Sequence, residues 1–307
     1  MAESGRLLIT GASGQLGSYL LRAAAARRTE VIAWSGTQTG ERHGFRLCPV
    51  DFTAPDRIRE AWRQARPGAI IHAAALASVA LCRQDPELAH SVNVRGTSVL
   101  AELAAHAGTR LVLVSTDLVF DGEKGGYREG DDPKPLSVYG KTKLAAEEAV
   151  LAYPGNTVVR VSLLFGPSLG RQTNFFDQQL TALRERTPIR LFADEWRTPI
   201  GMPFASQALL EIARSQNTGI LHLGGPDRMS RLEMGLRLAR YLGLGVSSII
   251  ATNRDAAPSS EPRPRDTSLD SSCWRARFPG SPWPTFEQSL AAISLPANAG
   301  RCTASGS

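Results

Sequence analysis

The sequence predicts an α/β protein built on a doubly wound parallel sheet, and three observations predict it. Short apolar runs alternate with helix-patterned stretches through the first half of the chain, the mark of successive βαβ units. A glycine-rich turn joins the first of these runs to the first helical stretch. Leu-Val-Leu-Val at 111–114 is unbroken by polar residues, as strands covered on both faces are.

Taken in order, strands are expected at Arg6–Thr10, Val31–Trp34, Ala69–His72, Arg110–Ser115 and Thr157–Val161. Helices are expected between them, at Leu16–Arg27, Asp56–Gln64, Pro86–Ala107 and Tyr139–Tyr153. After Gly166 the rhythm loosens. There the pattern predicts a helix over Phe175–Arg186, a short strand over Pro188–Phe192, a helix over Met202–Arg214 and a returning strand over Ile220–Leu223. A last amphipathic helix spans Ser230–Leu242, with Ser230 suited to cap it. The Pro-, Ser- and Arg-rich stretch Ala256–Arg265 reads as a loop that could close over a ligand. The expected division is a nucleotide-binding domain over 1–165, rejoined at about 200–224. A smaller, discontinuous C-terminal α/β domain takes 166–199 and 225–296, and 297–307 is a polar tail.

Composition narrows the class. Of 307 residues, 42% are hydrophobic and 21% charged, the profile of a globular protein. No apolar stretch approaches the ~20 residues of a membrane span, and the first strand follows the N-terminus too closely for a signal peptide. We therefore expect a cytoplasmic protein that does not engage membranes. The net charge of +6 comes from scattered Lys and Arg without an aromatic platform, which argues against nucleic acid and suits an anionic small molecule. Cys48, Cys82, Cys273 and Cys302 have neither metal-ligand nor disulfide-framework spacing, so reduced thiols and no metal are expected.

Arg6-Leu-Leu-Ile-Thr-Gly-Ala-Ser-Gly-Gln-Leu-Gly17 runs from strand through turn into helix. In a Rossmann-type unit Gly11 makes the tight turn, Gly14 lets backbone approach a pyrophosphate, and Gly17 allows close helix packing. Ser13, Gln15 and Leu16 complete the turn and helix start, whose free N–H groups attract phosphate. Candidate cofactor residues are therefore Gly11, Ser13, Gly14, Gln15, Leu16 and Gly17. A carboxylate ending the second strand would favour NAD through the ribose 2′-hydroxyl. That strand ends Ala33-Trp34-Ser35-Gly36, so Ser35, with Arg42 and Arg46 nearby, favours NADP(H) over NAD(H). Tyr139 and Lys143 are four residues apart at a helix start and share a face. An ammonium beside a phenol would lower the phenol's pKa and fit it for proton transfer.

These features resemble the extended short-chain dehydrogenase/reductase superfamily and, within it, the dTDP-4-dehydrorhamnose reductase family. The most specific piece is Ser115-Thr-Asp-Leu-Val-Phe-Asp-Gly122, followed by Tyr127 through Lys143 with Ser-Val-Tyr-Gly-Lys-Thr-Lys at 137–143. The resemblance implies carbonyl reduction by NAD(P)H, with Thr116 binding the carbonyl oxygen, Tyr139 donating the proton and Lys143 holding the nicotinamide ribose. It implies further cofactor contacts at Asp51, Phe52, Ala73, Ala74 and Ala75, besides Tyr139 and Lys143. It also implies that Asn93 braces the sheet near the active site; His72 itself reads as a half-buried strand-end residue without a catalytic part. Thr116, Asp117, Phe120, Leu163, Asn174 and Arg263 would meet the substrate, expected to be a nucleotide-diphosphate sugar, with Arg263 near the diphosphate. Helices at 86–107 and 139–153 commonly pair between subunits in this superfamily, which points to a homodimer.

The chain departs from the family at Leu163, where the rhamnose enzyme has a tryptophan, so another keto-sugar or a non-sugar carbonyl stays open. Leu118 stands where sugar-nucleotide dehydratases carry glutamate, which argues against elimination. An epimerase remains an alternative. So does a non-catalytic NADP-binding role like that of the regulatory subunit of methionine adenosyltransferase, which resembles the same family.

Overall fold

A computed structural model describes residues 5–170, 173–256, 262–293 and 295. Eight strands form the main sheet. From one edge to the other they are Gly219–Leu223, Thr157–Val161, Arg110–Thr116, Ala69–His72, Leu7–Thr10, Val31–Ser35, Phe45–Pro49 and Glu41–Arg42. All neighbours are parallel except the last pair, an antiparallel turn-back at the edge. Chain order reverses between Leu7–Thr10 and Ala69–His72, and this is where ligands bind in open α/β sheets.

Two apolar layers sandwich the sheet. On one side Leu20 and Leu21 of the helix Gln15–Ala26 pack with Leu209, Leu210 and Ile212 of the helix Met202–Arg214, over Ile9, Ile71 and Val112. On the other, Ile58, Leu100, Ala101, Ala104, Ala146 and Val150 cover Leu8, Ile70, Leu111 and Val158. Alternate residues of each strand serve opposite layers, so the central strands are apolar on both faces along most of their length, with polar residues such as His72, Ser115 and Arg160 gathered toward their C-terminal ends. A third cluster, around Phe165, Phe176, Met234 and Phe286, holds the small elements beyond the strand ends. They include three two-stranded pairs: Leu164–Phe165 with Ile200–Gly201, Ile189–Phe192 with Ile249–Thr252, and Trp196–Arg197 with Met229–Ser230.

Expected helices and strands appear within one or two residues of their predicted bounds, with one exception. Pro86–Ala107 is not a single α-helix: Pro86–His90 leads into a π-helical turn, Ser91–Arg95, before the α-helix Gly96–His106. The wider turn lets Asn93 reach across: its carbonyl oxygen accepts from Leu76 N–H at 2.8 Å and its amide donates to Thr142 at 3.0 Å. Asn93 thus braces the Ala73–Ala77 loop against the Tyr139 helix. The Phe45–Pro49 strand and the short helix Val79–Gln84 have no counterpart in the sequence reading. Much of the Ala256–Arg265 loop and the 297–307 tail lie outside the described residues. No described helix is long and apolar enough to cross a membrane.

Candidate active site

A cleft of about 1320 Å³ opens along the C-terminal strand ends. At one end the first strand turns at Gly11 (φ +66°) and enters the helix through Gly14, which caps it with backbone alone. A Cβ on Gly17 would stand 2.0 Å from the Gly11 carbonyl oxygen, so only glycine lets helix and turn meet. No acidic residue occupies the first helical turn, leaving its positive end to a ligand anion. Gly11, Ser13, Gly14, Gln15, Leu16, Gly17, Ser35, Asp51, Phe52, Ala73, Ala74 and Ala75 all line the cleft. The set fits a nicotinamide dinucleotide: small residues and free helix N–H groups where a pyrophosphate would lie.

The strand ends are tied by a buried histidine. Thr10 Oγ1 lies 2.6 Å from His72 Nδ1 and accepts from Ala74 N–H at 3.1 Å, while His72 Nε2 meets Thr97 Oγ1 at 2.9 Å. Burial, and then the Lys143 charge, push the imidazole pKa down to about 3, so His72 is a neutral strap. Ser35 and Arg42 each have hydrogen-bond partners within the protein. Ser35 Oγ donates to Gln38 O at 2.5 Å, whereas Arg42 reaches back to Ser13 O at 2.6 Å and Ser18 Oγ at 2.7 Å. Arg46 is exposed on its strand and is not among the residues lining the cleft.

In the middle of the cleft stand Thr116, Tyr139 and Lys143. Ser137 caps the helix Val138–Leu151 by accepting from Gly140 N–H at 3.1 Å. A side chain at Gly140 would meet Leu118 O at 2.3 Å, so this glycine lets the helix press against the strand end that carries Thr116. Lys143 Nζ donates to Val114 O at 2.8 Å. Its pKa falls to about 8 through burial, with the Glu147 carboxylate opposing. The expectation that Lys143 would lower the Tyr139 pKa is overturned. Burial, and then the Asp117 charge, raise it above that of free tyrosine, and a hydrogen bond to Thr116 only partly offsets them. Tyr139 is therefore a phenol at neutral pH.

The far end is lined by charge. Asp117 accepts from Ser162 Oγ at 3.1 Å and lies 3.6 Å from Arg197 Nε. Burial raises its pKa, with Arg197 the main opposing influence. Glu195, only 3% exposed, takes Arg231 Nε at 3.1 Å and Arg197 Nη2 at 3.3 Å on one oxygen. Its other oxygen lies 3.6 Å from Arg263 Nη1. Burial would raise the Glu195 pKa, but Arg197 and Arg231 outweigh it and hold the carboxyl below the usual range.

Of the expected substrate residues, Thr116, Asp117, Leu163, Asn174 and Arg263 line the cleft. Asn174 does so as a helix cap, its Oδ1 accepting from Phe176 and Asp177 N–H and its Nδ2 donating to Gly166 O at 2.9 Å. Phe120 does not line it. Fully buried, it stacks on Tyr127 at 4.1 Å and under the Arg160 guanidinium at 5.1 Å, because the short 3-10 turn Asp117–Val119 directs it into the core. Glu195, Arg197 and Arg231 carried no predicted role. The first two lie two residues apart on the segment that leads into and through the short strand Trp196–Arg197, and neither periodicity nor a local motif singles them out.

Comparison with known proteins agrees with this geometry. The RmlD substrate binding domain family matches residues 5–296. The dTDP-4-dehydrorhamnose reductase of Mycobacterium tuberculosis is 31% identical over 304 residues, covering 96% of this chain and 95% of its own length. The methionine adenosyltransferase 2 subunit beta of Xenopus tropicalis is 32% identical, covering 87% of this chain and 80% of its own length. A crystal structure of a hypothetical dTDP-4-dehydrorhamnose reductase from Sulfolobus tokodaii superposes with a TM-score of 0.80 at 31% identity, covering 91% of this chain and 97% of that one. The match spans nearly the whole chain, and the chain belongs to this family.

Proposed function

We propose that this member of the RmlD substrate binding domain family reduces the carbonyl of a nucleotide-linked 4-keto sugar, with NADPH preferred over NADH. The observation that carries the reading is one cleft lined both by the glycine turn and by Thr116, Tyr139 and Lys143. When bound, the nicotinamide would supply the hydride. Thr116 and Tyr139 orient and polarise the substrate carbonyl oxygen by hydrogen bonding, as a small oxyanion site. Tyr139, held as a phenol by its raised pKa, then gives its proton to the oxygen as negative charge develops there. Lys143, anchored on Val114 O, presents its remaining N–H donors to the cofactor ribose.

Two features support NADP. No carboxylate ends the second strand, and Arg42 stands over Ser13 at the rim of the glycine turn. Arg231 and Arg263, both lining the cleft, suit the diphosphate of a nucleotide sugar.

The test is NADPH oxidation with purified protein over a panel of nucleotide-linked 4-keto sugars, with Tyr139→Phe beside the wild type. Turnover should fall ~10²–10⁴-fold in the variant while NADPH binding persists. Retention of more than about a tenth of the rate, against that expectation, would overturn Tyr139 as donor. A second reading, an NADP-binding regulatory subunit, draws on the 32% identity to methionine adenosyltransferase 2 subunit beta. It gains ground if NADPH binds and no carbonyl in the panel turns over.

A further inference from the structure

Residues 139, 143 and 147 lie one turn apart on the Tyr139 helix, and three consecutive strand residues stand beside them. Thr116 lines the cleft with Tyr139, Val114 O receives Lys143 Nζ, and Ser115 Oγ donates to Glu147. Glu147 is 1% exposed. Arg160 closes on it with Nε at 3.1 Å from both carboxylate oxygens and Nη2 at 2.7 Å. Ser115, Arg160 and His222 are register partners on three adjacent strands, forming one polar row beneath the helix. His222 Nδ1 meets Tyr127 O at 3.0 Å, and Arg160 Nη1 lies 3.5 Å from His222 Nε2. Burial, then Arg160, push the His222 pKa down to about 4, so the imidazole is neutral. Arg160 therefore has Glu147 as its close counter-charge.

A buried ion pair of this kind contributes little to stability compared with apolar side chains of the same volume. Its position beside the site suggests another use. We propose that Glu147 is a positioning residue whose carboxylate, oriented by Ser115 and Arg160, holds Lys143 as an ammonium aimed at the Val114 carbonyl. The significance for catalysis rests on the reductase reading above; the electrostatic claim does not. Residues four apart on a helix share a face, and the consecutive strand residues Val114 and Ser115 receive Lys143 and Glu147 on that face. The opposing influences on Lys143, burial lowering its pKa and Glu147 raising it, agree with this arrangement.

The other ionisable groups nearby are accounted for. His72, facing Lys143 from the sheet, is neutral, and Tyr139 is a phenol. Asp117 and the Cys82 thiol of the adjoining helix act on Tyr139. Beyond Arg160, Glu129 accepts from His222 N–H at 2.9 Å, while Asp131 and Asp270 act on His222.

The prediction has opposite signs for the two partners. In Glu147→Gln, Lys143 loses an attractive charge and faces an uncovered Arg160, so its titration midpoint falls. In Arg160→Gln the carboxylate is uncovered and the midpoint rises. The experiment is an NMR titration of the Lys143 side-chain ¹⁵Nζ in the full chain without added ligand, assigned by loss of the signal in Lys143→Arg. The expected shifts are about one pH unit or more in each direction. A neutral double variant, E147Q/R160Q, keeps hydrogen-bonding amides at both positions and should fall below wild type by less than Glu147→Gln does. Movement of both single variants in the same direction, or an unmoved midpoint in Glu147→Gln, would overturn the proposal. If a single variant does not fold, the double variant decides: a lowered midpoint supports the assignment and an unchanged one overturns it. Because the titration uses neither cofactor nor substrate, its failure stands apart from a failure to turn over a carbonyl.

Discussion

The glycine-turn end of the cleft is made mostly of backbone, small side chains and one neutral histidine, all contributed by strand ends at the switch point. The Arg263 end is made of charge: Asp117, Glu195, Arg197, Arg231 and Arg263 meet there from segments as far apart as residues 117 and 263. The first end needs a particular chain path, with no room for a side chain at Gly17. The second needs several long side chains to find one another. A site of the first kind should be sensitive to added atoms, and one of the second kind to lost charge.

Acid should separate the two ends most widely. His72 folds with its pKa pushed down to about 3 and His222 to about 4, while the unfolded chain binds protons near the ordinary 6.5. Their contribution to stability is complete above pH 6.5 and is lost as pH falls toward those folded values, by up to about 1.4 kcal/mol per histidine per pH unit. Glu195 behaves differently. Its pKa is depressed, so its contribution is present above the ordinary carboxylate pKa and is lost only as pH falls through the lower folded value. Denaturant midpoints measured from pH 7 to pH 4.5 should therefore decline, and His72→Asn should flatten part of that decline. A flat profile in the wild type would contradict the neutral-strap account.

Next in size is Arg197→Met. It leaves Asp117 and Glu195 buried with one guanidinium fewer between them. Removing one partner of a buried pair costs about 3–5 kcal/mol, read as a lowered urea midpoint. NADPH affinity in the folded variant should stay within about twofold, since the glycine-turn end is untouched. A large loss of NADPH affinity at unchanged stability would mean that the two ends are not separable. Gly17→Ala should do the reverse. The added methyl must displace the Gly11 backbone, an overpacking cost of about 1–3 kcal/mol, and it distorts the turn where the pyrophosphate is proposed to lie. Here NADPH affinity should fall along with stability.

The same contrast explains what can be read in advance. The glycine turn, the sheet and the Tyr139–Lys143 spacing are local in sequence, so they are legible down to the residue. Glu195, Arg197 and Arg231 have meaning only through contacts with residues tens of positions away, and no periodicity announces such contacts. Phe120 departs from expectation for a related reason: its neighbours in sequence line the cleft, but the 3-10 turn rotates it into the core. The π-helical turn at Ser91–Arg95 leaves the apolar spacing of a helix almost intact, and only its Asn93 contacts reveal it. The Tyr139 pKa moves opposite to the direction its spacing from Lys143 predicts: burial and the Asp117 charge raise it, while Lys143 donates to Val114 O.

The smallest expected effect concerns the rim where the glycine turn meets Arg42. Its guanidinium spans Ser13 O and Ser18 Oγ, with Nη2 3.2 Å from Gln38 Oε1. All three of these partners are neutral, so the cation there has no counter-charge among its hydrogen-bond partners. A 2′-phosphate would supply one, and a hydrogen bond to a charged group is worth about 1.5–3 kcal/mol. Solvent at this partly exposed rim reduces that figure. Arg42→Ala should therefore weaken NADPH about tenfold, near 1.4 kcal/mol, while NADH affinity changes little. Parallel binding titrations of the two cofactors would measure the ratio directly. Equal losses for both would make Arg42 a brace for the Ser13 turn, and the preference for NADP would then have to come from elsewhere on the second strand.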